Sequence, residues 1–396
     1  MAKLKARRFY PFISIVFLLL LFLFFFLFPT SPFQSRRSFS TLPNPFPPTP
    51  RIAYFITGSA GDKDRMLRLL FAVYHPRNRY LLHLDTRALQ QEREDLAADV
   101  GSVYVFNTVG NVDVVGNADT VNYGGSTPIA SVLHGAAILL KPWGDWDWFV
   151  NLRAGDYPLI TQDDFLHILS FLPRDFNFIE HTSKIGWKEY QRIKSVVVDP
   201  GIYLASLRGR MFFGSRMRPL PAAYKFFTGS PFVILSRELI DFSVLGYENL
   251  PRTLLLYFTN IKSSHQGYFQ TLACNSREFR SAVINSNLRF EAWDNPPRLE
   301  PRNLKLSDYN KMVTRGAAFA GSFQPNDPVL DKIDKAILHR RWGKLAPGGW
   351  CVGRDPCEQL GELDILRPDR GAKRFEKLLL KLLATENFRS NICVFR

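Results

Sequence analysis

Most of the short motifs that announce an activity are missing from this 396-residue chain. It has no GxSxG elbow, no HExxH pair and no other recognisable triad signature, which removes the hydrolases built on them. Neither GxxxxGK[ST] nor GxGxxG occurs, so the two familiar glycine loops that cradle phosphates are absent. With no zinc-finger spacing, no RNP-like aromatic motif and no Lys/Arg block beyond about the first forty residues, nucleic acid is a poor partner. There is no internal repeat. Negative charge is also scarce: 36 Asp and Glu stand against 51 Lys and Arg, a net charge of +15. That excess suits a membrane-flanking cluster and sites for anionic ligands.

Long apolar runs are equally rare, and the one present decides the compartment. After a tail of residues 1–11 carrying Lys3, Lys5, Arg7 and Arg8 comes FISIVFLLLLFLFFFLF, residues 12–28, with no charge. At ~1.5 Å per residue it reaches ~26 Å, enough for a thin bilayer of the early secretory pathway. It exceeds the usual h-region and has no small-x-small cleavage site after it, so it reads as an uncleaved signal anchor. The positive-inside rule then predicts a single-pass type II protein with a short cytosolic tail and a lumenal bulk. Residues 29–50, rich in Pro and Ser, read as an extended stem, leaving residues 51–396 as one lumenal domain.

Only four cysteines occur, Cys274, Cys351, Cys357 and Cys393, all in the lumenal part, where disulfides form. Three connectivities are possible. The turn-rich CVGRDPC favours a local Cys351–Cys357 bridge, leaving Cys274 with Cys393. A zinc site competes, without support from a CxxC pair or a nearby His.

Apolar strand-like and amphipathic helix-like segments alternate from Arg51 onward. RIAYFITGS, RYLLHLD, SVYVFN and WDWFVNL read as strands, and the segments beginning at Asp62 and Ile129 as helices. Such alternation predicts an α/β domain with a mostly parallel central sheet, with ligands at the carboxyl ends of its strands. Gly58 in TGSAGD and Asp85 after YLLHLD stand at such ends. Gly58 suits a close backbone approach to a phosphate, and Asp85 either a ribose contact or a helix cap. The DxD within DWDW precedes its strand, the wrong end for a metal clamp, and Asp156 alone is a poor divalent-ion site. No metal is therefore expected.

The blocks WDWFVNLRAGDYPLITQDD, NFIEHTSKIGWKEYQR, KFFTGSPFVILSR, WDNPP, DPVLDKID and PGGWCVG occur in an order that resembles the plant branch of the core-2/I-branching glycosyltransferases. The resemblance spans about Arg51 to Cys393. It implies a GT-A-type fold behind one transmembrane helix, UDP-glucuronic acid as donor, and inverting transfer to galactan side chains of arabinogalactan proteins at the Golgi membrane. Such a reaction needs one general base and stabilisation of the departing diphosphate.

Three positions depart from what the resemblance implies. Relatives carry a Glu base in a block like SSPEGYFHTV, whereas SSHQGYFQTL places Gln266 there, with His265 beside it. An amide is no base, and losing general-base catalysis removes ~10²–10⁴-fold in rate. Ser322 in FAGSF stands where relatives have a diphosphate-contacting Lys. In NLRAGDYPL, Arg153 and Gly155 replace small hydroxyl residues. Arg153 either restores the lost positive charge or fills space the donor needs. Arg289, Arg298, Lys311 and Arg315 are further cations near in sequence.

Trp187 and Tyr190 suit stacking on a sugar, and Lys188 and Arg192, four apart on one helical face, suit an anionic one. Ser263 and Gln266 have the spacing of a capping box at a helix start, whose dipole would keep His265 neutral. Two readings stay open: an active transferase using His265 as base, and an impaired relative that binds carbohydrate or scaffolds other Golgi transferases.

Overall fold

The run IAYFITG, Ile52–Gly58, forms β1, and its alternate side chains enter two different cores, which is why it is apolar without alternation. Ile52, Tyr54 and Ile56 pack on one face of the sheet, Ala53 and Phe55 on the other. The computed structural model describes residues 47–142, 144–204, 210–296, 300–353, 357, 359–384, 386, 388 and 392–393. The tail, the apolar run 12–28 and the stem up to residue 46 lie outside the described residues. Among the described residues no helix is long and apolar enough to cross a membrane.

After β1 come α1 (Lys63–Val73), β2 (Arg79–Leu84), α2 (Gln90–Ser102), α3 (Tyr104–Val109), β3 (Val112–Val114), α4 (Thr127–Leu140) and β4 (Trp148–Arg153). There follow β5 (Tyr157–Pro158), α5 (Gln162–Ser170), β6 (Asn177–Ile179), α6 (Trp187–Lys194), β7 (Val197–Val198), β8 (Phe212–Phe213) and β9 (Val233–Ser236). The chain then forms α7 (Arg237–Leu245), α8 (Asn249–Phe258), α9 (Tyr268–Asn275), β10 (Val283–Ile284), β11 (Arg289–Phe290), α10 (Tyr309–Arg315) and β12 (Phe319–Ala320). The last helices are α11 (Pro328–Ala336) and α12 (Arg370–Leu383).

Seven strands make the central sheet in the order β10-β6-β9-β4-β1-β2-β3. Every neighbouring pair is parallel except the two made by β9, so the expected α/β architecture with a mostly parallel sheet is present. Residues of α1, α5 and α12 fill the core on one face, and those of α4, α7, α8 and α9 the core on the other. The chain runs outward from β1 through β2 to β3, then returns to lay β4 on the opposite flank of β1. That reversal opens a crevice at the carboxyl ends of β1 and β4, the place where open α/β sheets bind ligands.

Two local expectations fail. SVYVFN is not a strand: β3 takes the place beside β2, and Val105 and Phe106 are buried from α3 instead, where Phe106 packs against Tyr74 at 4.7 Å between ring centres. Gly110, at φ +66°, ends that helix in the left-handed region open to glycine. The capping box at Ser263 also does not form. Ser263 sits at φ 50°, ψ 53° with no side-chain cap, Ser264–Gln266 make a single 3-10 turn, and α9 starts only at Tyr268.

Both cysteine pairings follow the expected connectivity, Cys274–Cys393 at a sequence separation of 119 and Cys351–Cys357 at a separation of 6. His181 lies beside the first pair, a neighbour hidden in the sequence, but the two sulfurs are joined to each other and offer no thiolate. Loop-closure entropy scales with the length enclosed. Replacing Cys274 and Cys393 by Ser is therefore expected to cost about 4–5 kcal/mol, and replacing Cys351 and Cys357 about 2 kcal/mol. Denaturant unfolding of the two double variants checks the order, and equal losses would refute it.

Candidate active site

At the switch point two cavities share one wall. A narrow crevice of about 40 Å³ is lined by Gly58, Asp85, Tyr123, Asn151, Arg153 and His265, among others. A larger cavity of about 360 Å³ is lined by Arg153, Glu180, Gln266, Arg289, Glu291 and Ser322, with Trp293 and Asp156. Arg153, Pro231 and His265 belong to both. A third cavity, of about 420 Å³, lies across the Gly155–Asp156 turn. Its cations are spent, Arg65 on Asp62 and Arg68 on Asp331 and Asp334, so it offers no free charge to an anionic donor.

Gly58 is required by packing: a Cβ there would collide with the Met66 sulfur and lie 3.0 Å from Cβ of Asp62 at the start of α1. Asp85 is buried, accepting from Arg87 Nε and Nη2 at 2.9 and 2.7 Å and from the Ser59 hydroxyl at 3.1 Å. It braces the turn after β2 and does not cap α2, whose N-cap is Leu89.

The turn at 263–266 is pinned from outside. The N–H groups of Ser263 and Ser264 donate to the carbonyls of Gly124 and Gly125 at 3.0 and 3.2 Å. Arg192 donates to the carbonyls of Lys262 and Ser263. These partners hold Ser263 in the left-handed region in place of a cap. His265 packs edge-on against Tyr123 at 5.7 Å between ring centres, and its buried Nδ1 has no hydrogen-bond partner among the described residues. Burial, helped by the nearby Arg153 and Arg192 guanidiniums, pushes its pKa down to about 3. Desolvation and two cations, in that order, thus disfavour the charged imidazole, and the helix itself starts only at Tyr268. The Gln266 carbonyl accepts from Gly229 N–H at 2.9 Å and from the Thr228 hydroxyl at 3.1 Å, and the residue borders the larger cavity.

A buried ion pair forms the floor. One Asp156 carboxylate oxygen lies 2.6 Å from Arg289 Nη2, while the other accepts from Arg153 N–H at 2.8 Å. Burial pushes the Asp156 carboxyl up against the opposing pull of Arg289. Gly321 is packed so closely that a Cβ on it would lie 2.9 Å from Cζ of Arg289. Arg289 also stacks over Phe232 at 3.4 Å to the ring centre. Arg153 lies between the rings of Tyr123 and Phe232, at 4.4 and 5.0 Å, with no hydrogen bond or ion pair to its guanidinium among the described residues. Gly155 and Ser322 touch: a Cβ on Gly155 would sit 2.5 Å from Ser322 Oγ. Two of the three positions singled out in the sequence are therefore in contact.

The fold does not bring every singled-out residue to these cavities. Trp187, Lys188 and Tyr190 are exposed on α6 and line none of them, and Lys194 covers the Tyr190 ring at 5.1 Å. Arg192 turns inward to Glu189 and the 262–263 carbonyls, so it forms no joint anion site with Lys188. Lys311 and Arg315 are exposed on α10, Arg298 lies outside the described residues, and Arg289 alone of those four is a described wall residue. Asp145 and Asp147 sit at the amino end of β4, where Asp145 pairs with Arg51 and Asp147 accepts from Arg51 N–H at 2.8 Å. Tyr123, Phe232, Glu180 and Glu291 were missed as site residues. Glu180 carried a readable signal, a carboxylate directly after an apolar strand, the same one that marked Asp85.

Removing one partner of a buried ion pair strands the other charge. Asp156→Ala is expected to cost about 3–5 kcal/mol. The double change Asp156→Ala with Arg289→Met is expected to cost less than the sum of the single changes, as a double-mutant cycle in denaturant will read. An additive pair would refute the coupling.

The core-2/I-branching enzyme family model matches residues 52–313. Beta-glucuronosyltransferase GlcAT14A of Arabidopsis thaliana is 50% identical over 359 residues, covering 89% of this chain and 79% of its own. Beta-glucuronosyltransferases GlcAT14B and GlcAT14C of the same plant are 49% and 46% identical, each over 87% of this chain and over 80% and 85% of their own. With a family match across most of the α/β domain and relatives this similar, the chain belongs to the core-2/I-branching enzyme family of glycosyltransferases.

Proposed function

We propose that this protein is an inverting β-glucuronosyltransferase with a GT-A-type fold. It moves glucuronic acid from UDP-glucuronic acid to galactan side chains of arabinogalactan proteins, from a type II anchor at the Golgi membrane. Identity of 46–50% to three proteins named beta-glucuronosyltransferase supports the transferred sugar. The observation that carries the site is the position of Arg153. Its guanidinium stands on the wall common to both cavities, unpaired and held by two aromatic rings.

In this reading the nucleotide lies toward Gly58 and Asp85 and the sugar toward Gln266, so the diphosphate passes Arg153. A planar guanidinium suits bidentate contact with phosphate oxygens, and a charge fixed before the reaction stabilises the leaving group without reorganisation. Arg153 thereby takes over from the Lys that Ser322 replaces, and the reading requires no divalent ion. Gln266 orients the acceptor hydroxyl. His265 is not the base in this reading, because a pKa of about 3 leaves it little affinity for a proton near neutral pH.

Arg153→Ala is expected to weaken UDP binding by ~10–100-fold, the worth of a charged hydrogen bond, measured by titration calorimetry. Tighter binding by the variant would show instead that Arg153 fills donor space. Incubation of the purified protein with UDP-glucuronic acid and β-galactan, with UDP release and product followed, tests the activity. UDP binding without transfer from any UDP-sugar would favour a carbohydrate-binding or scaffolding role among Golgi transferases.

A further inference from the structure

With an amide at 266 and a weakly basic imidazole at 265, inverting transfer lacks a proton acceptor at the turn before α9. The larger cavity nevertheless has four carboxylates on its wall, Asp156, Glu180, Glu291 and Glu300. Asp156 is spent on Arg289 and the Arg153 N–H. Glu291 is largely buried, 3.6 Å from Arg289 Nε. Glu300 is exposed. Glu180 differs from Asp156 and Glu291 in its freedom and from Glu300 in its place at a strand end. It directly follows β6, its carboxylate makes no hydrogen bond or ion pair among the described residues, and it is exposed, open to an incoming acceptor.

The backbone places it beside Gln266. The Glu180 carbonyl packs against Gly229, where a Cβ would lie 2.8 Å from the carbonyl carbon. Gly229 in turn donates its N–H to the Gln266 carbonyl at 2.9 Å. Glu180, Gly229 and Gln266 are thus successive neighbours on three segments. The wall is stiff: β6 is paired on both sides, by β9 and β10, and Asn285 accepts from the next residue's N–H, that of His181, at 2.8 Å.

Resting on the transferase reading above, we propose that Glu180 is the general base, taking over from the position now held by Gln266. The acceptor hydroxyl oxygen forms a bond to the anomeric carbon of the donor sugar as the bond from that carbon to the diphosphate oxygen breaks. The bonding pair leaves with UDP, and the hydroxyl proton passes to the Glu180 carboxylate and from there to solvent. Gln266 holds the hydroxyl as it loses its proton.

The electrostatics agree. Partial desolvation of its carboxyl by the surrounding wall pushes Glu180 up from its ordinary value, the direction that makes a stronger base. The charged and titratable groups sharing its cavity are Arg153, Asp156, His265, Arg289, Glu291 and Glu300. Of these, Glu291 is a like charge close enough to feel Glu180, and its carboxyl is also pushed up. Sign follows directly: a base must be deprotonated, so activity rises with pH through the raised Glu180 pKa.

The test compares unmodified protein, Glu180→Gln, and Glu180→Gln with Gln266→Glu, using UDP-glucuronic acid and β-galactan. Glu180→Gln is expected to lower kcat by ~10²–10⁴-fold and to abolish the acid limb of kcat/KM against pH. UDP affinity and the unfolding midpoint should stay unchanged. Adding Gln266→Glu should restore transfer by at least ~10-fold, within the worth of a general base. Retained kcat in Glu180→Gln, an unmoved acid limb, or a change confined to acceptor KM would overturn the assignment of the base while leaving the transferase reading standing. Unmodified protein that binds UDP and transfers nothing would overturn that reading, and this inference with it.

Discussion

The candidate site depends on one buried contact, the ion pair between Asp156 and Arg289. Both side chains are almost wholly excluded from water, so each charge is tolerable only because the other is there. The pair joins the turn after β4 to β11, two segments far apart in sequence. Through its second oxygen Asp156 also holds the N–H of Arg153, and with it the turn that aims the guanidinium. Gly321 has no room for a side chain against the pair, and Ser322 follows it into contact with Gly155. Cations, turn and loop are therefore packed together around one contact.

The positions at which the sequence departs from what the resemblance implies gather beside this pair: 153, 266 and 322 line one cavity, and 155 lies against 322. Ser322 removes an ammonium and Arg153 adds a guanidinium on the same cavity wall. Gly155 lies against Ser322 with no room for a Cβ between them. Gln266 removes a carboxylate from a cavity that retains Glu180 and Glu291.

Much of the fold was legible because strands buried on both faces leave continuous apolar runs, as at Ile52–Gly58 and Trp148–Arg153, and because α1 and α12 carry clear apolar stripes. SVYVFN misled because alternation in a short run does not distinguish a strand from a helix that buries two side chains. The capping box at Ser263 misled because spacing is blind to the tertiary partners Gly124, Gly125 and Arg192 that pin the turn. Trp187, Lys188 and Tyr190 lie in a block shared with relatives, but helical spacing alone does not say which side of α6 meets a cavity.

The sequence alone determined the α/β class, the strand ends where ligands gather, both cysteine pairings and the residues that depart from the family pattern. Those properties reside in local periodicity, in covalent neighbourhood and in residue identity. Tertiary structure decided that Arg153 lines two cavities, that Gly155 meets Ser322, that burial and two guanidiniums push the His265 imidazole down, and that Glu180 and Gln266 line one cavity. Each is a distance between segments tens of residues or more apart, or a solvation that such distances create. No spacing along the chain encodes either.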